Sequence, residues 1–152
     1  MNEQIEYCLN KATEAEINDH LSRCDTDFVP SLGSRVEING YAHKIVSKAT
    51  RFEAWVNGVL IGLVAAYCNN SECRTAHITS VSLLRGWQGK GIASQLMEQC
   101  IGHIKELCFE HIELEVTSGN AGAIKLYEKM GFMIKRVSDR AAIMHLNTVK
   151  DA

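Results

Sequence analysis

Residues 74–116 read as a strand, a glycine-rich turn, a helix and a second strand, and this unit restricts the fold more than any other stretch. "RTAHITSVSLL" is rich in β-branched residues, which pack well on a pleated surface. "RGWQGKGIASQL" then sets Gly86, Gly89 and Gly91 within six positions. Glycine in ordered backbone costs roughly 0.5–1 kcal/mol against alanine, so such a cluster signals a need for unusual backbone or for close approach. "IASQLMEQCIGHIKELCF" carries Ile92, Leu96, Cys100, Ile104 and Leu107 on one stripe, which predicts an amphipathic helix. "HIELEV" alternates as a strand. A strand–helix–strand crossover belongs to a sheet with helices packed on it.

The remaining segments fill in that sheet. "QIEYCLNKA" predicts a short first strand. "TEAEINDHLSRCD" begins a helix with a capping box, Thr13 at the N-cap and Glu16 three residues later. Residues 25–36 hold the single proline and read as an irregular connection; "EINGYAHKIVSKA" follows as a second helix. "RFEAWVNGVLIGLVAAY" predicts two strands joined at Asn57-Gly58, a strong hairpin signal. "NAGAIKLYEKM" predicts a helix ended by Gly131 with Phe132 beyond it, and "FMIKRVS" and "AAIMHL" close the chain as strands. The order β, α, α, β, β, β, α, β, α, β, β predicts a mixed α/β (α+β) sheet rather than a doubly wound one.

The 152 residues suit one domain spanning 1–152. A net charge of −2 and a pI near 6.3 give no support to a nucleic-acid or anionic-membrane partner, which would favour a basic face, though they leave room for local basic patches. The first residues are acidic and polar, and no stretch approaches the roughly 18 apolar residues of a membrane span, so a cytoplasmic chain is expected. The six cysteines are then expected to be reduced. Cys68 and Cys73 form one close pair with no second pair to complete a zinc site, so no metal is expected.

A glycine-rich loop opening a helix beyond a strand presents unpaired N–H groups at the positive end of a dipole, which favours phosphate. The Walker A pattern fails because Lys90 is followed by Gly91. A dinucleotide fingerprint from Gly89 reaches Ser94 where it needs glycine. What remains is Gln88-x-x-Gly91-x-Ala93.

That segment, "SVSLLRGWQGKGIASQL", resembles the acetyl-coenzyme A segment of the GNAT family of N-acetyltransferases. "LEVTSGNAGAIKLYEKMGF" is similar to that family's second element, with its Leu-Glu-Val, Asn, Leu-Tyr and Gly-Phe pattern. The resemblance covers essentially the whole chain. Arg85, where many relatives carry proline, and Ala93, in place of a second glycine, depart from it without touching the fold. It implies a mixed, mostly antiparallel twisted sheet with helices on both faces, and acetyl-coenzyme A as cosubstrate without a metal. The amides of Gly89, Lys90, Gly91, Ile92, Ala93 and Ser94, with Gln88, are expected to hold the pyrophosphate. Val81, Ser82 and Leu83 are expected to pair with the pantetheine arm, which needs a splayed or bulged strand. Asn120 is expected near the reactive end.

Acetyl transfer to an amine needs a neutral amine, oxyanion stabilisation and a proton for the leaving thiolate. The resemblance implies direct attack, with a backbone N–H around Leu83 at the thioester carbonyl and Tyr127 as the acid beside the sulfur. Helical spacing with Ala123, Ile124 and Met130 equally suits Tyr127 as a core residue. Glu115 is the candidate base: it stands twelve residues before the tyrosine, where the similar ribosomal-protein N-terminal acetyltransferases carry a glutamate. His77 and Glu72 are reserves.

Residues 13–50 are expected to shape the acceptor pocket. A loose similarity to acetyltransferases of surface-polysaccharide synthesis suggests an amino sugar or other small amine; a peptide N-terminus is the alternative. A coenzyme A-binding module without catalysis is a second class of reading, and an enzyme built on the cysteines a third. The last strand, "AAIMHL", can pair with a second copy of the chain if it forms an edge, which would make a homodimer.

Overall fold

The computed structural model describes residues 4–24, 32–34, 36–68 and 74–149. The elements are β1 (Glu6–Leu9), α1 (Glu14–Cys24), a 3-10 turn (Leu32–Ser34), α2 (Ile38–Lys48), β2 (Thr50–Val56), β3 (Val59–Tyr67), β4 (Thr75–Leu83), α3 (Ile92–Glu106), β5 (His111–Thr117), α4 (Ala121–Lys129), β6 (Met133–Val137) and β7 (Ala141–Asn147). Their order is the one expected from periodicity.

Local signals account for most boundaries. The capping box at α1 is reciprocal: the Thr13 N–H donates to Glu16 at 2.9 Å, and the Glu16 N–H donates to the Thr13 hydroxyl at 3.2 Å. Asn57 and Gly58 both take positive φ, 48° and 78°, as a tight hairpin turn between right-twisted strands demands. The helix expected over 92–109 stops at Glu106, and Cys108 turns the chain at φ 66°. Leu107, placed on the apolar stripe by spacing, is therefore 47% exposed, and Phe109 fills the core instead.

The strands form one sheet in the order β1-β2-β3-β4-β5-β7-β6. β4 and β5 run parallel across the α3 crossover, and the other neighbouring pairs run antiparallel. α1 and α2 pack Ile17, Leu21, Ala42 and Ile45 on one face of the sheet, against Leu60, Leu63 and Ala65. α3 and α4 cover the other face, where Leu96, Met97 and Ile104 meet Ile78, Ile112 and Met144. Each such aliphatic side chain contributes about 1.5–3 kcal/mol when fully buried.

The strand "AAIMHL" is not an edge. As β7 it pairs with β5 along its whole length, from Ala141↔Thr117 to Asn147↔His111, and with β6 on its other side. The edges of the sheet are β1 and β6. Pairing of two copies through β7, raised from the sequence, is thereby excluded.

Buried Glu53 anchors the start of α1. Its carboxylate accepts the N–H groups of Lys11 and Ala12 at 3.1 Å, the Trp55 indole N–H at 3.0 Å and the Arg51 Nε at 3.2 Å. A buried charge persists only when paired and hydrogen-bonded in this way.

Candidate active site

The sheet splits at its centre. β4 and β5 pair from Thr75↔His111 to Ile78↔Leu114 and no farther, leaving Thr79–Leu83 and Glu115–Thr117 on opposite sides of a gap. A bulge starts the divergence: Ala65 faces Ser80 and Ala66 faces Ile78, so Thr79 has no partner on β3. The Tyr41 hydroxyl of α2 donates to the Thr79 carbonyl at 2.6 Å, satisfying an acceptor released by the bulge.

Beyond the bulge, alternation decides which main-chain groups face the gap. The Leu84 N–H donates to the Ile61 carbonyl at 2.8 Å, so Leu84, Ser82 and Ser80 direct their main-chain bonds to β3. Val81 and Leu83 direct theirs away from β3, into the split. Of the three residues expected to pair with an extended ligand, two thus offer main-chain groups to it. Ser82 is turned the other way, and its hydroxyl lies 2.9 Å from Nε2 of His20.

His20 itself is buried, with Nδ1 2.8 Å from the Leu60 carbonyl. Because a carbonyl only accepts, Nδ1 carries the proton and Nε2 accepts from Ser82. Burial holds the His20 pKa below that of free imidazole. A lone histidine in an amphipathic helix carries no sequence signal for this contact, since Ser82 lies 62 residues away.

The gap opens into a cleft of about 1130 Å³. Val81, Ser82, Leu83, Gln88, Gly89, Gly91, Ile92, Ala93 and Ser94 line it along β4, the loop and the head of α3; Asn120 and Tyr127 line it from α4, and Glu115 from β5. Lys90 alone among the expected site residues is not part of the lining. Glu72 and Cys73 lie outside the described residues.

Gly86, Gly89 and Gly91 take φ values of 96°, 78° and 81°, and a Cβ at any of them would meet nothing within 4 Å. The glycines are therefore required by left-handed backbone, not by crowding. Gly91 is the N-cap of α3, and among the described residues no side chain caps that helix. The first intrahelical bond is Gln95 N–H to the Gly91 carbonyl at 3.1 Å, so the amides of Ile92, Ala93 and Ser94 are left for an anion. α4 differs: the Asn120 side-chain oxygen accepts the Ala123 N–H at 3.2 Å, so this atom serves as the cap.

Tyr127 is both core and cleft residue. It is 7% exposed and packed in the α3/α4 core, yet lines the cleft. Burial pushes its pKa up to about 12, which keeps the phenol protonated at neutral pH. The α4 terminus positions it. Phe132 N–H donates to the Tyr127 carbonyl and Gly131 N–H to that of Glu128, with Gly131 at φ 104°, the paired bonds of a Schellman end.

On β5, Ile112, Leu114 and Val116 are buried while Glu113 and Glu115 share the opposite face, as alternation predicts. Their surroundings differ. A hydrogen bond from Lys135 at 2.8 Å holds the Glu113 pKa below the usual carboxylate range, aided by the charges of Lys135 and of His77, its register partner. Glu115 is exposed at the cleft, beyond the last β4–β5 pair.

The family model for the acetyltransferase (GNAT) family matches residues 15–132. An uncharacterised N-acetyltransferase of Methanocaldococcus jannaschii is 36% identical over 90 residues, 57% of this chain and 40% of that protein. An N-alpha-acetyltransferase of Saccharolobus solfataricus is 40% identical over 63 residues, 41% of this chain and 38% of its own length. The matched segments thus span less than half of these relatives. A putative acetyltransferase of Salmonella typhimurium, solved with acetyl-CoA, has the same fold at TM-score 0.72 and 17% identity, covering 100% of this chain and 97% of its own.

Proposed function

Because this chain belongs to the acetyltransferase (GNAT) family, we propose that it transfers the acetyl group of acetyl-coenzyme A to a primary amine by direct attack. The observation that carries this reading is the split between β4 and β5, bounded by the glycine-capped head of α3 and by the protonated Tyr127. Acetyl-coenzyme A supplies an activated thioester and a thiol leaving group. The residues present suit it. Amides at the head of α3 match a pyrophosphate, and the main-chain groups of Val81 and Leu83 match the amides of an extended pantetheine arm.

In this reading the amine lone pair forms the new C–N bond as the C–S bond breaks. The Leu83 main-chain N–H stabilises the carbonyl oxygen as it gains charge. Tyr127 donates its hydroxyl proton to the departing sulfur, and Glu115 takes the proton shed by the amine, directly or through water. Glu113 is held as a carboxylate by Lys135 and is less suited to that work.

For the acceptor, the sequence put an amino sugar or other small amine first. The curated relatives favour the other reading, the α-amino group of a polypeptide, since the Saccharolobus solfataricus relative is an N-alpha-acetyltransferase. Thiol release from acetyl-coenzyme A with free-N-terminal peptides, amino sugars and simple amines tests both levels. Turnover with peptides supports the full reading, and turnover with amino sugars alone replaces the acceptor. Binding of coenzyme A without turnover on any amine would leave a non-catalytic module.

A further inference from the structure

Val81 and Leu83 face the split because β4 changes its alternation at Thr79. Ala76 and Ile78 are buried in the α3/α4 core, and Val81 and Leu83 pack against that same core. Ile78 and Val81 are three residues apart, and an unbroken strand would put them on opposite faces. The bulge supplies the missing step. Were it displaced along β4, every residue it passed would turn to the other side. Its place on the strand therefore decides which main-chain groups meet a ligand in the split.

One side chain holds the bulge where it is. Thr79 has no register partner on β3, and the β4–β5 pairing ends at Ile78, so no neighbouring strand is in register to satisfy the Thr79 carbonyl. The Tyr41 hydroxyl donates to that carbonyl at 2.6 Å. The phenol oxygen also lies 2.8 Å from the Thr79 hydroxyl. Because the phenol proton goes to the carbonyl, the Thr79 hydroxyl is the donor in this second bond. Tyr41 thus grips Thr79 by main chain and side chain at once, and the Thr79 side chain is further hydrogen-bonded to the Tyr67 hydroxyl. The post is firm: Ala42 and Ile45, fully buried, seat α2 on the sheet beside Leu63 and Ala65.

We propose that Tyr41 is a positioning residue for the cofactor arm: by holding the Thr79 carbonyl it fixes the bulge, and with it the direction of the Val81 and Leu83 main-chain groups. The inference rests on the acetyl-coenzyme A reading above. Tyr41 takes no proton in the transfer. Without its hydroxyl the Thr79 carbonyl loses its partner, and β4 relieves this by settling toward β5 or by moving the bulge. Either change spoils strand-like pairing with the pantetheine arm. The head of α3 is shaped locally by the positive φ of Gly89 and Gly91 and is left as it was.

The test compares the full chain, wild type and Tyr41→Phe, by calorimetry with coenzyme A and by hydrogen–deuterium exchange at matched occupancy of coenzyme A. Tyr41→Phe keeps the ring that packs against the α1/α2 core, so a folded protein is expected. In the wild type, coenzyme A is expected to slow exchange both in residues 80–84 and in residues 92–95. In Tyr41→Phe the slowing in 80–84 should fall at least about threefold while that in 92–95 stays within about twofold, and the Kd for coenzyme A should rise roughly three- to tenfold. A variant that only loosened the fold would lose slowing equally in both segments, which overturns the proposal, as does slowing in 80–84 that the substitution leaves unchanged. Slowing confined to 92–95 in the wild type also overturns it, and leaves the anion site at α3 standing. No slowing in either segment of the wild type overturns the coenzyme A reading itself.

Discussion

Phe132 donates its main-chain N–H to the Tyr127 carbonyl at 2.9 Å and stands its ring edge-on to the Tyr127 ring, centroids 6.2 Å apart. A helix stop signal thus doubles as the mount for the proposed acid. The backbone bond fixes the last turn of α4, and the T-shaped ring pair, worth about 0.5–1.5 kcal/mol beyond its burial, fixes the direction of the phenol.

Tyr127→Phe keeps that mount and removes only the proton. Turnover is expected to fall at least about a hundredfold while coenzyme A affinity, measured by calorimetry, stays within about threefold. Phe132→Ala removes the mount and is expected to lower stability by about 3–5 kcal/mol in urea unfolding, with loss of turnover alongside.

The pH profile follows from the upward shift of Tyr127. An acid with a pKa raised to about 12 is protonated throughout the neutral and mildly alkaline range. Activity should therefore climb as the amine loses its proton and show no falling limb from Tyr127 up to about pH 10. A bell-shaped kcat profile descending near pH 8, and lost in Tyr127→Phe, would contradict this assignment.

Gly91→Ala forces a side chain into backbone at φ 81°, costing about 1–2 kcal/mol, and tilts the amides at the head of α3. The KM for acetyl-coenzyme A is expected to rise several-fold. Gly86→Ala meets a similar conformational cost at φ 96° but lies off the cleft lining, so it should lower the melting temperature without that change in KM.

His20 makes stability depend on mild acid. Its folded pKa is depressed by burial, so below about pH 6.5 the unfolded chain binds a proton that the folded chain resists. That contribution is present above pH 6.5 and is lost as pH falls. Denaturant midpoints between pH 7.5 and 5 should drop in the wild type, and more weakly in His20→Gln.

Glu53→Ala leaves the buried Arg51 guanidinium without its counter-charge, and its Nε–H and three other N–H groups without their acceptor. The expected loss is about 3–5 kcal/mol by urea unfolding, one of the largest for a residue far from the chemistry.

The sequence by itself determined the order and kind of the elements and the glycine-rich turn at the head of α3 on which the proposed cofactor site is built. Those depend on local rules: period-two and helical spacing, the Thr13–Glu16 box, Asn57-Gly58, and glycines whose positive φ no neighbour needs to explain. Gly131 and Phe132 were legible as a helix stop for the same reason. The tertiary structure alone decided what depends on residues meeting across the sheet. It put β7 inside rather than at an edge, because strand order is a matter of pairing partners. It turned Ser82 toward His20 and left Val81 and Leu83 facing the split, because a bulge at Thr79 resets the alternation there. It brought Tyr41, Tyr67 and Ser80 from three elements to one wall of the cleft. No spacing rule links such residues, since their contacts arise only when separate apolar faces are buried against the same sheet.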